Sequence, residues 1–214
     1  MADLILALDV TDRERAVAIA RACAPHLDAI KVGYPLVLSA GLSIAGDLRP
    51  LDLPLIADFK VADIPNTNRE ICTLAFRAGF SAVIAHAFPG EDALSACVEV
   101  AHANGGACHA VAEMSHPGAA GAAGFFHGGV AEKLAGLAVK CGADGIIAPA
   151  TRPERVRRLR EIVGPLKILS PGVGAQGGDP GEVKGLVDGI IVGRSIYGAA
   201  DPAAAAREFA GRCR

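Results

Sequence analysis

The sequence predicts a single (β/α)8 barrel, and three observations carry that prediction. Short apolar, β-rich runs recur eight times, and helical patterns lie between them. The 214 residues then give about 27 residues per strand–helix unit, economical for a barrel whose usual length is about 250. The runs are Leu4–Asp9, Ala29–Gly33, Leu55–Lys60, Ala82–His86, Cys108–Glu113, Gly145–Ala148, Lys167–Ser170 and Gly189–Gly193. Helical periodicity covers Asp12–Cys23, Thr67–Ala78, Asp92–Asn104 and Glu154–Val163. Thr11 with Glu14, Thr67 with Glu70, and Thr151 with Glu154 have the spacing of capping boxes, in which a hydroxyl and a carboxylate satisfy orphan N–H groups. Gly79 and Gly105 fall where helix C-caps are expected. A doubly wound open sheet is the competitor, with about five or six strands, and eight even units favour closure. No linker-like stretch interrupts the pattern, so residues 1–214 are expected to form one domain.

Composition narrows the function. Apolar residues make up 51% and charged residues 21%, which excludes disorder and supports a substantial core. The net charge of −2 supplies no basic field for nucleic acid or an anionic membrane. Any anionic ligand must therefore be held by a few placed cations. Seven Phe, two Tyr and no Trp leave little for stacking single-stranded nucleic acid. Cys23, Cys72, Cys97, Cys108, Cys141 and Cys213 form no CxxC pair and no zinc-ligand spacing. Most sit in apolar patterns, where a reduced thiol behaves as a small hydrophobe. The opening MADLILALDV has no basic n-region and reads as a first strand, and no apolar run approaches the roughly 18 residues of a membrane span. These features lead us to expect a soluble cytoplasmic protein.

In such barrels chemistry sits where strands end, which reduces the search to a few short stretches. The first run ends at Asp9, and the second carries Lys31. The third ends Asp58-Phe59-Lys60, with Asp63 three residues on. Asp58 and Lys60 are two apart on a strand and share a face. Charges inside a barrel need partners, so Asp58, Lys60, Lys31 and Asp63 are expected to form an alternating cluster. A structural ion-pair network explains the spacing alone; two lysines committed to one strand-end cluster favour function. Gly172-Val-Gly-Ala-Gln-Gly177 matches GxGxxG but follows the seventh run, so the dinucleotide reading fails on context. A phosphate cradle fits better, with Gly193 and the Arg194 guanidinium at the neighbouring strand end. His86, His109 and His127 show no metal-ligand spacing. Ser115 lacks a His–Asp pattern, which excludes a nucleophile and leaves hydrogen bonding. His116 and Glu113 carry no assigned role, and Glu113 can face either way.

Together these segments resemble the orotidine 5′-phosphate decarboxylase suprafamily. Asp58-Phe-Lys-Val-Ala-Asp-Ile-Pro-Asn-Thr67 carries its DxKxxD signature. Lys31-Val-Gly-Tyr-Pro, Glu113-Met-Ser-His-Pro-Gly118, the Ser170–Pro180 stretch and Ile191-Val-Gly-Arg-Ser-Ile-Tyr197 are similar to the archaeal decarboxylases. The resemblance runs from the first strand to the last helix. It implies conversion of orotidine 5′-monophosphate to UMP with no metal and no cofactor. It implies that Lys60 protonates C6, that Asp58 faces the substrate carboxylate, and that Lys31 and Asp9 hold the ribose. Ser115 would meet the pyrimidine, Gln176 would bridge base and phosphate, and Gly193 and Arg194 would bind phosphate. Ile64, Pro171, Gly172 and Val173 complete the implied substrate-binding set. Asp63 and Thr67 would reach the other subunit's site in a homodimer. The related 3-keto-L-gulonate 6-phosphate decarboxylase and hexulose-phosphate synthase use magnesium held partly by a strand-2 glutamate. Lys31 stands on that strand here and would repel a divalent ion. A sugar-phosphate-binding barrel without chemistry is the reading from another class; it has no use for Lys60 beside Asp58.

Overall fold

In a computed structural model, described for residues 1–119 and 128–213, eight parallel strands close into a barrel in chain order. His127 lies outside the described residues. The strands are β1 (Asp3–Ala7), β2 (Ala29–Gly33), β3 (Leu55–Val61), β4 (Ala82–His86), β5 (Ala107–Val111), β6 (Gly145–Ile147), β7 (Lys167–Pro171) and β8 (Gly189–Val192). Each pairs with its sequence neighbours, and β8 closes on β1 through Leu4↔Ile190 and Ile5↔Ile191. All eight expected strands are present; Ala29–Gly33 and Ala82–His86 have the expected bounds, and the other six shift by one or two residues at one or both ends. Asp9 and Glu113 each lie two residues beyond their strands, and Lys60 lies within β3.

Strand alternation divides the apolar residues into two cores. Inside the barrel, Ile5, Ile56, Ile84, Val111, Ile147, Leu169 and Ile191 pack with small alanines. Outside, residues such as Leu4, Leu6, Ile30, Val83, Ile146 and Ile190 pack against the helices. Near the base of the interior His109 is buried and its Nδ1 has no hydrogen-bond partner. Its neighbour in register is Gly145. A Cβ there would meet His109 Nδ1 at 2.7 Å and the Lys167 carbonyl at 2.4 Å, so only glycine admits the imidazole.

The main helices are α1 (Arg13–Cys23), α2 (Tyr34–Ala40), α3 (Ile44–Leu48), α4 (Pro65–Ala78), α5 (Glu91–Ala103), α6 (Val130–Lys140), α7 (Pro153–Val163), α8 (Arg194–Tyr197) and α9 (Pro202–Cys213). The expected capping boxes do not form. Asp12, not Thr11, caps α1 by accepting from Arg15 N at 2.7 Å. α4 and α7 instead begin at Pro65 and Pro153 with no side-chain cap. Proline at the first helical position is pre-set in φ and has no N–H to leave orphaned; with the starts fixed there, the cap positions fall at Ile64 and Arg152, so Thr67 and Thr151 lose that role. Gly79 ends α4 with φ 107°, and Gly105 follows α5 with φ 67°, as expected. Buried Asn68 on α4 does work that its sequence did not announce. It accepts from Asp63 N at 2.9 Å and donates to the Ala93 carbonyl at 3.0 Å, fixing the β3–α4 loop against α5. Among the described residues no helix is long and apolar enough to cross a membrane.

Candidate active site

A cavity of about 220 Å³ opens at the C-terminal end of the barrel. Its floor is the top of the inner apolar core: Ala7, Ile84, Val111, Ile147 and Ile191. Of the residues singled out from sequence, Asp9, Lys31, Asp58, Lys60, Ser115, Pro171, Gly172, Val173, Gln176, Gly193 and Arg194 line it.

Asp58 is the hub of its charges. Lys31 Nζ lies 2.7 Å from Oδ2, and Lys60 Nζ 2.8 Å from Oδ1, so each carboxylate oxygen holds one ammonium. Burial alone would raise the Asp58 carboxyl. The two cations outweigh that and hold it below its ordinary 3.8. Lys31 also approaches Asp9 Oδ1 at 3.7 Å. This third contact depends on Gly33, where a Cβ would stand 2.6 Å from that oxygen. The three side chains differ in access: Lys31 and Asp58 are 7% and 9% exposed, Lys60 34%. Lys60 is therefore the more accessible of the two ammonium groups that line the cavity.

The backbone that aims it is unusual. The β3–β4 register slips between Ala57 and Val61, and within this bulge Lys60 adopts φ 44°. Bulges redirect side chains at barrel rims, and a left-handed lysine persists only where its surroundings over-determine it. Neighbouring His86, half-buried at the end of β4, is held below its ordinary value by burial and then by the Lys60 cation.

The glycine-rich loop differs from the expected open cradle. Its amides largely bond within the loop: Gly174 N to Gly178 O (3.1 Å), Gly177 N to Gly174 O (2.8 Å), and Gly178 N to Gly172 O (3.0 Å). Ala175 N donates to Ser195 Oγ at 2.9 Å, tying the loop to α8. What the loop and α8 offer the cavity includes the Gln176 amide and the exposed Arg194 guanidinium. Arg194 makes no ion pair among the described residues and is available to an anion.

Asp63, Ile64 and Thr67 do not line this chain's cavity. Asp63 and Ile64 are exposed, and Asp63 Oδ1 accepts from Ile64 N at 2.7 Å. Conversely, Met114 and Tyr197 line the cavity and were not singled out. Tyr197 stands three residues after Arg194, one helical turn on; that spacing was the available signal. Glu113 turns away from the barrel axis toward α7, where Arg152 and Arg155 meet its carboxylate. His116 is exposed in the loop after β5, and its carbonyl accepts from Ala119 N. No three His, Cys, Asp or Glu side chains gather in a metal-binding group among the described residues.

The sequence profile of the orotidine 5′-phosphate decarboxylase / HUMPS family matches residues 2–209. The chain belongs to this family. Within the orotidine 5′-phosphate decarboxylase / HUMPS family, the chain is 54% identical over 208 residues to the orotidine 5′-phosphate decarboxylase of Methanococcoides burtonii, covering 96% of this chain and 94% of that protein. It is 50% identical over 209 residues to that of Thermococcus kodakarensis, covering 96% and 94%. Among solved family structures, the Methanocaldococcus jannaschii orotidine 5′-monophosphate decarboxylase complexed with inhibitor BMP superposes with TM-score 0.94 at 42% identity. That match covers 100% of this chain and 99% of the other. The Pyrococcus horikoshii OT3 enzyme gives 0.89 at 41% identity, covering 99% of both.

Proposed function

We propose that this chain decarboxylates orotidine 5′-monophosphate to UMP without metal or cofactor. The observation that carries the reading is the Lys60 ammonium, paired to Asp58 at 2.8 Å yet one-third exposed toward the cavity. In the proposed reaction the C6–carboxylate bond breaks, carbon dioxide leaves, and the electron pair remains at C6. Lys60 stabilises that charge and donates its proton there; a solvent proton then restores the ammonium. A cation fixed before the reaction needs no reorganisation as charge develops, and the same group serves as general acid.

Asp58 would face the substrate carboxylate. Two like charges near 4 Å repel by about 4 kcal/mol at an effective dielectric of 20. Enzymes lower barriers by about 8–23 kcal/mol, so this repulsion is the smaller contribution. We assign the larger ones to Lys60 and to phosphate binding by Arg194, whose remote binding energy favours closure and orientation. Ser115 would bond the base, Gln176 would bridge base and phosphate, and Lys31 and Asp9 would bond the ribose. Gly193 would join Arg194 at the phosphate, and Pro171, Gly172 and Val173 would shape the remaining contacts, with Ile64 outside this chain's own cavity.

The same reading includes one barrel domain over 1–214, a cytoplasmic location and a homodimer in which Asp63 and Thr67 enter the partner's site. Exposed Leu38 and Ile64, 81% and 66% accessible, support such an interface. The magnesium-dependent relatives are the second reading, and the two ammonium groups already on Asp58 count against a divalent ion there. Turnover of orotidine 5′-monophosphate after exhaustive EDTA treatment is the test. Undiminished activity is expected; activity lost on chelation and restored by magnesium overturns the metal-free assignment.

A further inference from the structure

Glu113 lies outside the chemistry described above, yet its surroundings are costly to assemble. Its carboxylate is 4% exposed. Arg155 Nε donates to Oε2 at 2.5 Å. Arg152 Nε lies 2.9 Å from Oε1 in ion-pair contact, its N–H not aligned for a hydrogen bond. The other end of that guanidinium donates to the Met114 carbonyl. Arg155 and Arg158 continue the network to Glu132 on α6, at 3.5 and 3.2 Å. Glu113 N donates to the Ile147 carbonyl at 3.3 Å on the far side of the same segment.

A buried ion network is weak evidence for stability, because apolar residues of similar volume do as well or better. Its distinctive property is fixing geometry. Here the fixed element is Met114-Ser115, whose residues line the cavity and which otherwise begins a loop. We infer that Glu113 is a positioning residue: by holding Arg152 and Arg155 it sets the Met114–Ser115 segment, and hence the Ser115 hydroxyl, at the cavity rim. Its kinetic consequence rests on the decarboxylase reading, with Ser115 bonding the substrate base. The geometric claim does not.

Glu113→Gln tests it, because the amide keeps the shape and removes the charge that holds two guanidinium groups. Amide exchange at Met114–Ala119 should accelerate at least tenfold, while exchange in α1 and α9 stays unchanged. kcat/KM should fall at least tenfold, mostly in kcat, with UMP affinity within about threefold of the parent. In a Ser115→Ala background the same substitution should cost less than about twofold, since the group it positions is gone. Glu113→Asp, which retains the charge, should recover part of the loss. Unchanged exchange at Met114–Ala119, or full additivity with Ser115→Ala, overturns the inference. A parent that fails to turn over orotidine 5′-monophosphate overturns the functional reading instead, and the exchange measurement still decides the geometry. Should Glu113→Gln not fold, Glu113→Asp carries the same exchange and double-variant comparisons.

Discussion

Lys60 and Arg194 both face the cavity and are expected to fail differently when removed. If Lys60 acts at the reacting carbon, as proposed, Lys60→Ala should lower kcat by orders of magnitude while leaving UMP affinity within about tenfold. On the proposed reading Arg194 would grip a remote phosphate through two charge-assisted hydrogen bonds, worth together about 3–6 kcal/mol. Arg194→Ala should weaken UMP binding and kcat/KM by that amount. Guanidinium added to Arg194→Ala should restore part of its activity, and added to Lys60→Ala it should do nothing. Calorimetric UMP affinity with steady-state kinetics on both variants decides the assignment; near-normal kcat in Lys60→Ala would reverse it.

At the scale of elements, the strands were legible because each has an apolar face on either side of the sheet. Their alternation survives any shift of one residue at the ends. Helix starts were less legible. Three hydroxyl–carboxylate pairs had the spacing of caps, but Pro65, Pro153 and Asp12 settle those starts locally. Most of the cavity lining was readable because strand ends converge in any closed barrel. The facing of Glu113 was not, since arginines some forty positions away decide it. The unpaired imidazole of His109 was equally hidden, for its environment is assembled by β5, β6 and β7. Burial first, then Lys167, hold that ring down to about 4, with Asp144 opposing. The neutral ring therefore stays unprotonated in the fold while the unfolded chain takes up a proton below its ordinary 6.5. Stability should thus fall as pH drops from about 6.5 to about 4 and then level, by roughly 3 kcal/mol for this group. Asp58, with its value depressed, contributes below that window: its stabilisation is present above 3.8 and lost as pH falls through its folded value. Urea midpoints measured across pH 4–7 should fall more steeply toward acid in the parent than in His109→Gln. Parallel curves would show that His109 is not the group responsible.

For the whole molecule, the decisive question is whether sites are shared. If Asp63 and Thr67 act across a dimer, Lys60→Ala and Asp63→Ala each leave every site of their own homodimer defective. A mixed dimer then contains one site with both defects and one intact site. Mixing the two inactive proteins should restore up to about a quarter of the parent activity: half the dimers are mixed and each carries one good site of two. No recovery, with subunit exchange verified by mass spectrometry, would count against sharing.

The left-handed backbone at Lys60 has a consequence for how this protein can change. A side chain with a Cβ held there costs about 1–2 kcal/mol relative to an unstrained residue, and glycine escapes most of that. Lys60→Gly should therefore melt higher than Lys60→Ala by whatever part of that strain exceeds glycine's extra chain entropy of about 0.5–1 kcal/mol, although both lack the ammonium and should keep only residual turnover. Thermal midpoints of the two variants measure the difference; a lower midpoint for Lys60→Gly would mean that the bulge relaxes without strain. Selection for robustness alone would thus push position 60 toward glycine, and only the demand for turnover opposes that drift. On the proposed mechanism, position 60 is one at which stability and activity pull the sequence in opposite directions.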